Sequence, residues 1–578
     1  MSKTEHFNLG TEPWIRVLTK QGNTKLVSME TLFTSAQDYY SLAGEMKIQD
    51  FSIMRLLLSV LHTVYSRYDN DGNSYDWLTV NDKMEIDSVD DDEYKDHADD
   101  LLTTWENIRN DGSFGNVVVD YLHTHIDDFD FFGDKPFYQV NAKVYDSLVP
   151  NNKTIKSGLG TVDIKQINRT LSESNGKDAM FSQRQGANKN KVSLDELIRW
   201  LITYQNYTGV TDKTKVNPYV SGDKLPNSGG WNYDLSTLYA SGNDLFDTLT
   251  LNMVMINATP DSSDFNPVYE NMHPYWEYSS EEWLDIRRKA ITPDNKAELY
   301  TLWSRMLHVE WVDDKPTVYT AGLPKVDFHD MFNVEPMTTW NQDNNVKGKD
   351  VIKPFKPTFP SATKSGQSLW RNFGLLFGND QKIKPGILNW LNLLIGEQLI
   401  NKKAKLSLAS LVLISDGNAS SKLPANEIYG EFHTQADIIN DRRWVNTIMD
   451  AANLADEVGV KYRKFLGSVA YLRSIGSIPA FTTAYSTPYY QGLNQPFNFW
   501  LNRLTSDDDR DTMIEEWKKT VFKIAITNAR DFTKTSTNHD ARGNIDAKNN
   551  ANNIFSIYNR FVSQLYSILW PKGDPNGK

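Results

Sequence analysis

The sequence predicts an α+β protein, an irregular mixed domain over residues 1–429 followed by a four-helix bundle over residues 430–578. Three observations carry this reading. Before residue 430, short β-like runs alternate with helical stretches and long polar loops. After it, β-like signals largely vanish and four apolar stripes of helical period take over. The 578 residues also exceed the size at which a single hydrophobic core stops growing, so more than one domain is expected.

In the first part, residues 51–65 (FSIMRLLLSVLHTVY) are apolar almost all round, which predicts a core helix too short to cross a bilayer. Residues 194–207 (LDELIRWLITYQNY) read as a second helix, and 248–256 (TLTLNMVMI) and 308–312 (HVEWV) read as strands. Acid concentrates between Glu85 and Asp100, a run expected on a solvated face or loop. In the second part, Trp444, Ile448, Ala451, Ala455 and Val458 mark one face of a first helix, and a second is expected over 491–504. Ile514, Trp517, Val521 and Ile524 mark a third, with Asp507 to Asp509 at its start, where the macrodipole favours negative charge. Ile554, Ile557, Tyr558, Phe561, Leu565 and Ile568 mark a fourth, stopped by Pro571. The polar stretch from Thr533 to Asn550 reads as a long inter-helix loop. No one of these helices buries its stripe alone, and a bundle is the simplest arrangement that buries all four.

Composition narrows the function. A hydrophobic content of 39%, with 16 Trp, 27 Tyr and 26 Phe, supplies a sizeable core. Zero cysteines remove disulfides, thiolate nucleophiles and Cys-ligated zinc. The opening residues lack the charged-then-apolar layout of a signal peptide, and no stretch reaches the ~18 uninterrupted apolar residues of a membrane span, so a cytoplasmic location away from membranes is expected. A net charge of −13 argues against a protein that coats DNA by itself. Its distribution is uneven: between Lys347 and Lys422, twelve Lys or Arg stand against four acids.

No Walker-type phosphate loop and no nucleophile elbow occurs, and no cofactor is called for. The most metal-like cluster is His123-Thr124-His125 with Asp127 and Asp128, since alternating histidines on a strand would point both imidazoles to one side. It defines an alternative, a metal-dependent hydrolase. A protein-only scaffold using a Trp- and Tyr-rich surface is a third reading. The loops 179–191, 206–215, 220–231 and 321–327 mix Gly, Lys, Asn and aromatics, the ingredients for approaching a nucleic-acid backbone and stacking on bases.

Residues 7–17 (FNLGTEPWIRV), 27–33 (VSMETLF), 44–62 (GEMKIQDFSIMRLLLSVLH), 129–139 (FDFFGDKPFYQ), 194–207, 243–254 (NDLFDTLTLNMV) and 368–377 (SLWRNFGLLF) give collinear matches to one family. In them the chain resembles CasA, the large subunit of the type I-E CRISPR surveillance complex Cascade, over most of its first 420 residues. The resemblance implies a non-catalytic subunit that joins other Cascade subunits at the 5′ handle of the CRISPR RNA. It also implies recognition of the protospacer-adjacent motif in double-stranded target DNA, help with strand separation and R-loop formation, and a platform for a helicase-nuclease effector.

For the RNA handle, the resemblance places a loop aromatic at Phe181, with Arg184 nearby. For the motif, it implies minor-groove reading through a glycine loop, a lysine finger and a glutamine wedge. A side-chain-free backbone can enter the narrow groove, a lysine can reach acceptors on its floor, and a wedge can unstack the first step. Gly209 falls nearest the glycine loop, although the family's further glycines become Thr211-Asp212-Lys213; Gly229 and Gly230, before Trp231, are the alternative pair. Lys325 aligns with the finger, and Asn418 stands in the wedge loop, which has no glutamine. These departures leave the preferred motif sequence open.

Overall fold

The apolar run at 51–65 lies within a helix, Lys47–Tyr65, in which every residue from Ile48 onward is buried. A helix apolar on all sides must be covered on all sides, and Leu194–Tyr207, Lys296–Tyr300, Val117–Thr124 and Leu245–Asn252 pack around it. The computed structural model describes residues 6–90, 94–158, 160–171, 184–209, 214–217, 229–257, 271–312, 315–346, 352–358, 382–415, 424–545 and 551–571. These form two compact units. The described residues before 394 and within 409–429 make the first; those within 394–408 and from 430 onward make the second.

The central helix and the turn after it carry two arginines into the core. The Arg55 guanidinium donates to the Glu335 carboxylate at 2.7 Å with both side chains fully buried. Trp231 Nε1 donates to the same carboxylate at 2.7 Å, the Met337 amide at 3.0 Å, and the Tyr300 ring centroid lies 4.0 Å from the guanidinium carbon. Past the helix end, Arg67 forks onto Glu277 with two 2.8 Å bonds, and the Tyr121 hydroxyl donates to that carboxylate at 2.6 Å. Burial pushes the Glu277 pKa up, but the attraction and hydrogen bonds of Arg67 outweigh it and hold the group below its usual value.

Several small sheets decorate this helical core. Strand Ile15–Thr19 lies between Thr24–Val27 and Tyr39–Leu42, antiparallel to both, with Ile15 opposite Val27 and Val17 opposite Leu42. The strand expected at 308–312 belongs to a hairpin of Arg305–Val312 and Lys315–Gly322, with Arg305 opposite Gly322. Trp340–Gln342 pairs with Phe355–Pro357 and with Lys382–Ile383. Lys405–Ser415 lies between Pro424–Gln435 and Ser236–Ser241.

The run 248–256 is not a strand. Residues Leu245–Asn252 form a helix because Asp244 caps it, its side chain accepting from the Asp247 amide at 2.9 Å. Leu245, Phe246 and Leu249 are buried together, so capping and packing override the strand-like alternation of Thr and Leu. The acidic run is also partly structured: it contributes the strand Ile86–Val89 and the start of a helix, Tyr94–Asp111, where Asp100 accepts from the Trp77 indole at 2.9 Å.

In the second unit, helices Arg442–Leu472, Ile478–Arg503, Arg510–Lys534 and Ile554–Leu569 form a bundle, the first touching the other three. Its predicted stripe, Trp444 through Val458, is buried throughout. The second helix begins at Ile478 rather than near 491, because Ser477 caps it and Pro488 and Pro496 stand inside a segment whose period they obscure. Buried Tyr489, Leu493 and Phe497 tie it down, Tyr489 donating to the Ala455 carbonyl at 2.8 Å. In the third helix, Asp509 accepts from the Thr512 amide at 3.0 Å, and the buried stripe is Met513, Trp517, Val521, Ala525 and Ala529, with Ile514 and Ile524 at its margins. The expected loop from 533 holds a further helix, Asn538–Arg542, whose buried Asp540 pairs with Arg473 at 3.0 Å.

Trp517 is fully buried and its indole donates to the Ala451 carbonyl at 2.8 Å. Trp517→Ala is expected to destabilise the bundle by about 3–5 kcal/mol, read as a lowered urea midpoint by circular dichroism at 222 nm. Arg55→Met strands the Glu335 carboxylate in the core and is expected to lower stability by about 3–5 kcal/mol, while Arg55→Met/Glu335→Gln recovers more than half. Equal urea midpoints for the single and double variants would show that the unpaired charge is not the cause.

Candidate nucleic-acid interface

The helix Leu194–Tyr207 positions one wall of the site. Arg199, fully buried within it, donates to the Trp14 carbonyl at 2.7 Å and pairs with Glu45 and Asp195, each at 2.9 Å. Arg184 braces its start, pairing with Glu196 at 2.6 Å and donating to the Lys191 carbonyl. At its far end, the Gln205 amide donates to the Arg305 carbonyl at 2.9 Å and accepts from the Ser304 and Arg305 amides. The Gly209 carbonyl accepts from Arg305 Nη2 at 2.9 Å. The helix end is thereby joined to the start of the hairpin.

Gly229 and Gly230 pass directly against this end. The Gly230 amide donates to the Thr208 carbonyl at 2.9 Å, and a Cβ on Gly230 would overlap the Asn206 backbone, so only glycine fits there. Gly229 has more room: a Cβ would stand 3.4 Å from the Thr208 carbonyl oxygen and 3.5 Å from the Tyr233 Cβ, ordinary contact distances. Trp231, bonded to Glu335, fixes the residues that follow.

The facing wall is the exit of the hairpin. Leu323, Pro324 and Val326 are buried while Lys325 is exposed, its ammonium 4.8 Å from the Phe328 ring centroid. Fully buried Arg287, on the helix Ser280–Arg288, donates from Nε to the Trp303 carbonyl at 2.9 Å and from Nη2 to the Pro324 carbonyl at 3.1 Å. A cleft runs between the walls, lined by Gly229, Gly230, Trp231, Trp303, Lys325 and Phe328 among others, and among the described residues no carboxylate lines it.

The structure thus brings Gly229, Gly230 and Lys325 to one cleft and sets Gly209 beside it through Thr208. Phe181 and Asn418 lie outside the described residues, as does much of the basic zone from 347 to 422. Within that zone, Lys356 pairs with Asp343 at 2.8 Å, and the hydrogen bonds of Lys356 and the Asn345 amide pull the Asp343 carboxyl down to about 2. Arg287 and Phe328 escaped the sequence reading, and Trp231 entered it only as the end of a loop and the neighbour of the glycine pair. An Arg in the last turn of a short charged helix carries no signal of the two distant carbonyls it will hold.

The histidine cluster differs from expectation. Residues Val117–Thr124 form a helix and His125 follows its last turn, so the two imidazoles do not share a strand face. His123 is exposed beside Glu30 at 3.4 Å. Buried His125 has both nitrogens engaged, with Asp128 at 3.0 Å and the Lys83 carbonyl at 3.0 Å, and Asp128 also accepts from Lys135 at 2.7 Å. Among the described residues, no group of three or more His, Asp or Glu is placed to hold a metal ion, and no helix is long and apolar enough to cross a membrane.

Comparison with known proteins gives a consistent result. The fold is similar to that of Cse1 from Thermobifida fusca, with a TM-score of 0.75 and 19% identity over 98% of each chain. It is also similar to CasA (Cse1) from Thermus thermophilus, with a TM-score of 0.65 and 17% identity over 97% of this chain and 98% of that one. A chain of a CRISPR RNA-guided surveillance complex matches with a TM-score of 0.66 and 13% identity over 97% of this chain and 100% of its own. No curated protein matches in sequence. The family model described as CRISPR-associated protein Cse1 matches residues 8–527, and the chain belongs to that family.

Proposed function

We propose that this chain is the non-catalytic large subunit of an RNA-guided surveillance complex, and that its cleft meets the minor groove of the target duplex at the protospacer-adjacent motif. The observation that carries the reading is the convergence of Lys325 with Gly229 and Gly230 on one cleft whose described lining holds no carboxylate. The chemistry suits a narrow groove lined with acceptors: a compact ammonium reaches in, and backbone without side chains follows closely. Opening the adjacent base step would then start the R-loop, with sequence beyond the motif read by RNA–DNA pairing. The same subunit would contact the 5′ handle of the CRISPR RNA through the segment around Phe181, join the other Cascade subunits, and present a surface to the helicase-nuclease. Arg184 is committed to Glu196, so its part at the handle would be to brace that segment.

Duplex binding by the RNA-loaded complex, with and without this chain, across a randomised flanking motif and at two salt concentrations, tests the reading. Addition of the chain should create a motif-dependent gain that falls with salt. Lys325→Ala should weaken binding at least about fivefold and reduce the salt slope by about one, with assembly unchanged. Loss of assembly, or no change in binding, would refute the assignment of Lys325. The two glycines separate structure from contact. Gly230→Ala should lower the unfolding midpoint, whereas Gly229→Ala should keep it within about 0.5 kcal/mol of the parent and yet weaken duplex binding. If Gly229→Ala binds like the parent, this glycine does not enter the groove.

A further inference from the structure

We infer that Arg287 is the positioning residue for Lys325, a buried fork that locks the backbone on which the lysine stands. The inference rests on the reading of Lys325 as a duplex contact. Lys325 is an exposed residue between buried neighbours, and a single lysine reaching into a narrow groove is useful only if its backbone is held in one place. The regular pairing of the hairpin ends at Arg305 opposite Gly322, short of Lys325. Beyond that point Arg287 takes over. Its Nε–H is spent on the Trp303 carbonyl, just before the first strand, and its Nη2 on the Pro324 carbonyl, just after the second. One rigid planar group therefore clamps both ends of the hairpin at the peptide that precedes the lysine. Proline at 324 cannot donate a backbone hydrogen bond, so the carbonyl is what a clamp can grip there.

Arg287 is 1% exposed, and among the described residues it pairs with no carboxylate and its Nη1 has no hydrogen-bond partner. Burial pushes its pKa down to about 10, with Glu298 acting in the opposite direction, so it stays protonated and donating at neutral pH. A charge placed this deep without a direct ion pair is a poor device for stability, since the desolvation is not repaid by a close counter-charge. It is a good device for geometry, because a methionine or leucine of similar bulk would fill the space and leave both carbonyls unheld.

A double-mutant cycle in the RNA-loaded complex tests this, reading target-duplex affinity, its salt slope and the thermal midpoint of the chain. If Arg287 acts through Lys325, Arg287→Met should reproduce most of the affinity loss of Lys325→Ala and the same reduction in slope, and should add nothing in the Lys325→Ala background. Arg287→Lys keeps the charge but replaces the rigid planar fork with a single rotatable ammonium, so a smaller loss is expected, again absent in the Lys325→Ala background; this variant decides the matter if Arg287→Met does not fold. Losses that multiply in the double variant, or an Arg287→Met complex that binds like the parent, would overturn the inference while leaving the role of Lys325 intact. A Lys325→Ala complex that binds like the parent removes the site reading itself, and the inference with it.

Discussion

The ion pair between Arg55 and Glu335 is the constraint from which the first unit is organised. It joins residues 280 positions apart in sequence, inside a core where neither side chain meets water. Arg55 Nε and Nη2 have no hydrogen-bond partner among the described residues, so the pair is incompletely satisfied and its net contribution to stability is small or negative. Its consequence is orientation. A buried carboxylate that must face Arg55 presents its remaining lone pairs in fixed directions, and these are taken by the Trp231 indole and the Met337 amide. Trp231 directly follows the glycine pair. The place of Gly229 and Gly230 at the cleft is therefore set by a charge on the central helix.

The same solution recurs because the fold is irregular. Segments that pass through a core without joining a helix or a broad sheet bury carbonyls that no ladder satisfies. Arginine is suited to that task, having several donors in one plane and no acceptor to leave unpaired. Arg199 takes the Trp14 carbonyl, Arg67 the carbonyls of Met84 and Met272, Arg305 the carbonyl of Gly209, and Arg287 those of Trp303 and Pro324. Gln205 does the equivalent work at the base of the hairpin. Side chains thus replace sheet hydrogen bonds as the means of fixing loops, and three of these anchors, Gln205, Arg305 and Arg287, hold the backbone that leads into the walls of the cleft.

What could be read in the sequence followed from what is local. Residues 51–65 and 194–207 declared themselves helical because their apolar content leaves a period-independent or strongly helical pattern. The bundle stripes were legible for the same reason. The reading failed where one local signal opposed another: alternating Thr and Leu at 248–251 hid a helix set by the Asp244 cap, and Pro488 hid the first turns of Ile478–Arg503. At the site, Lys325 and the glycine pair were reached through the order of motifs in a family. Composition alone would not have separated them from ordinary loop residues. Arg287 and Glu335 were illegible by either route, since their roles consist of contacts with segments far away in the chain.

The charge of the protein bears on how such a site could work. A net charge of −13 would oppose DNA if the duplex felt the molecule as a whole, but salt screens charges beyond about 8–10 Å at physiological ionic strength. Among the described residues, the lining of the cleft holds Arg287 and Lys325 and no acid, and the nearby exposed Asp327 is engaged by His329 at 2.7 Å. One exposed lysine supplies little affinity by itself, and the surrounding acid discourages non-specific contact elsewhere on the surface. On the reading proposed above, such a subunit binds poorly alone and well when other subunits and the RNA hold it beside the duplex, because a tethered contact acts at a high effective concentration. Weak intrinsic binding is then an advantage. It allows rapid release from sites that lack the motif, and the decision to remain passes to the pairing between RNA and DNA that follows.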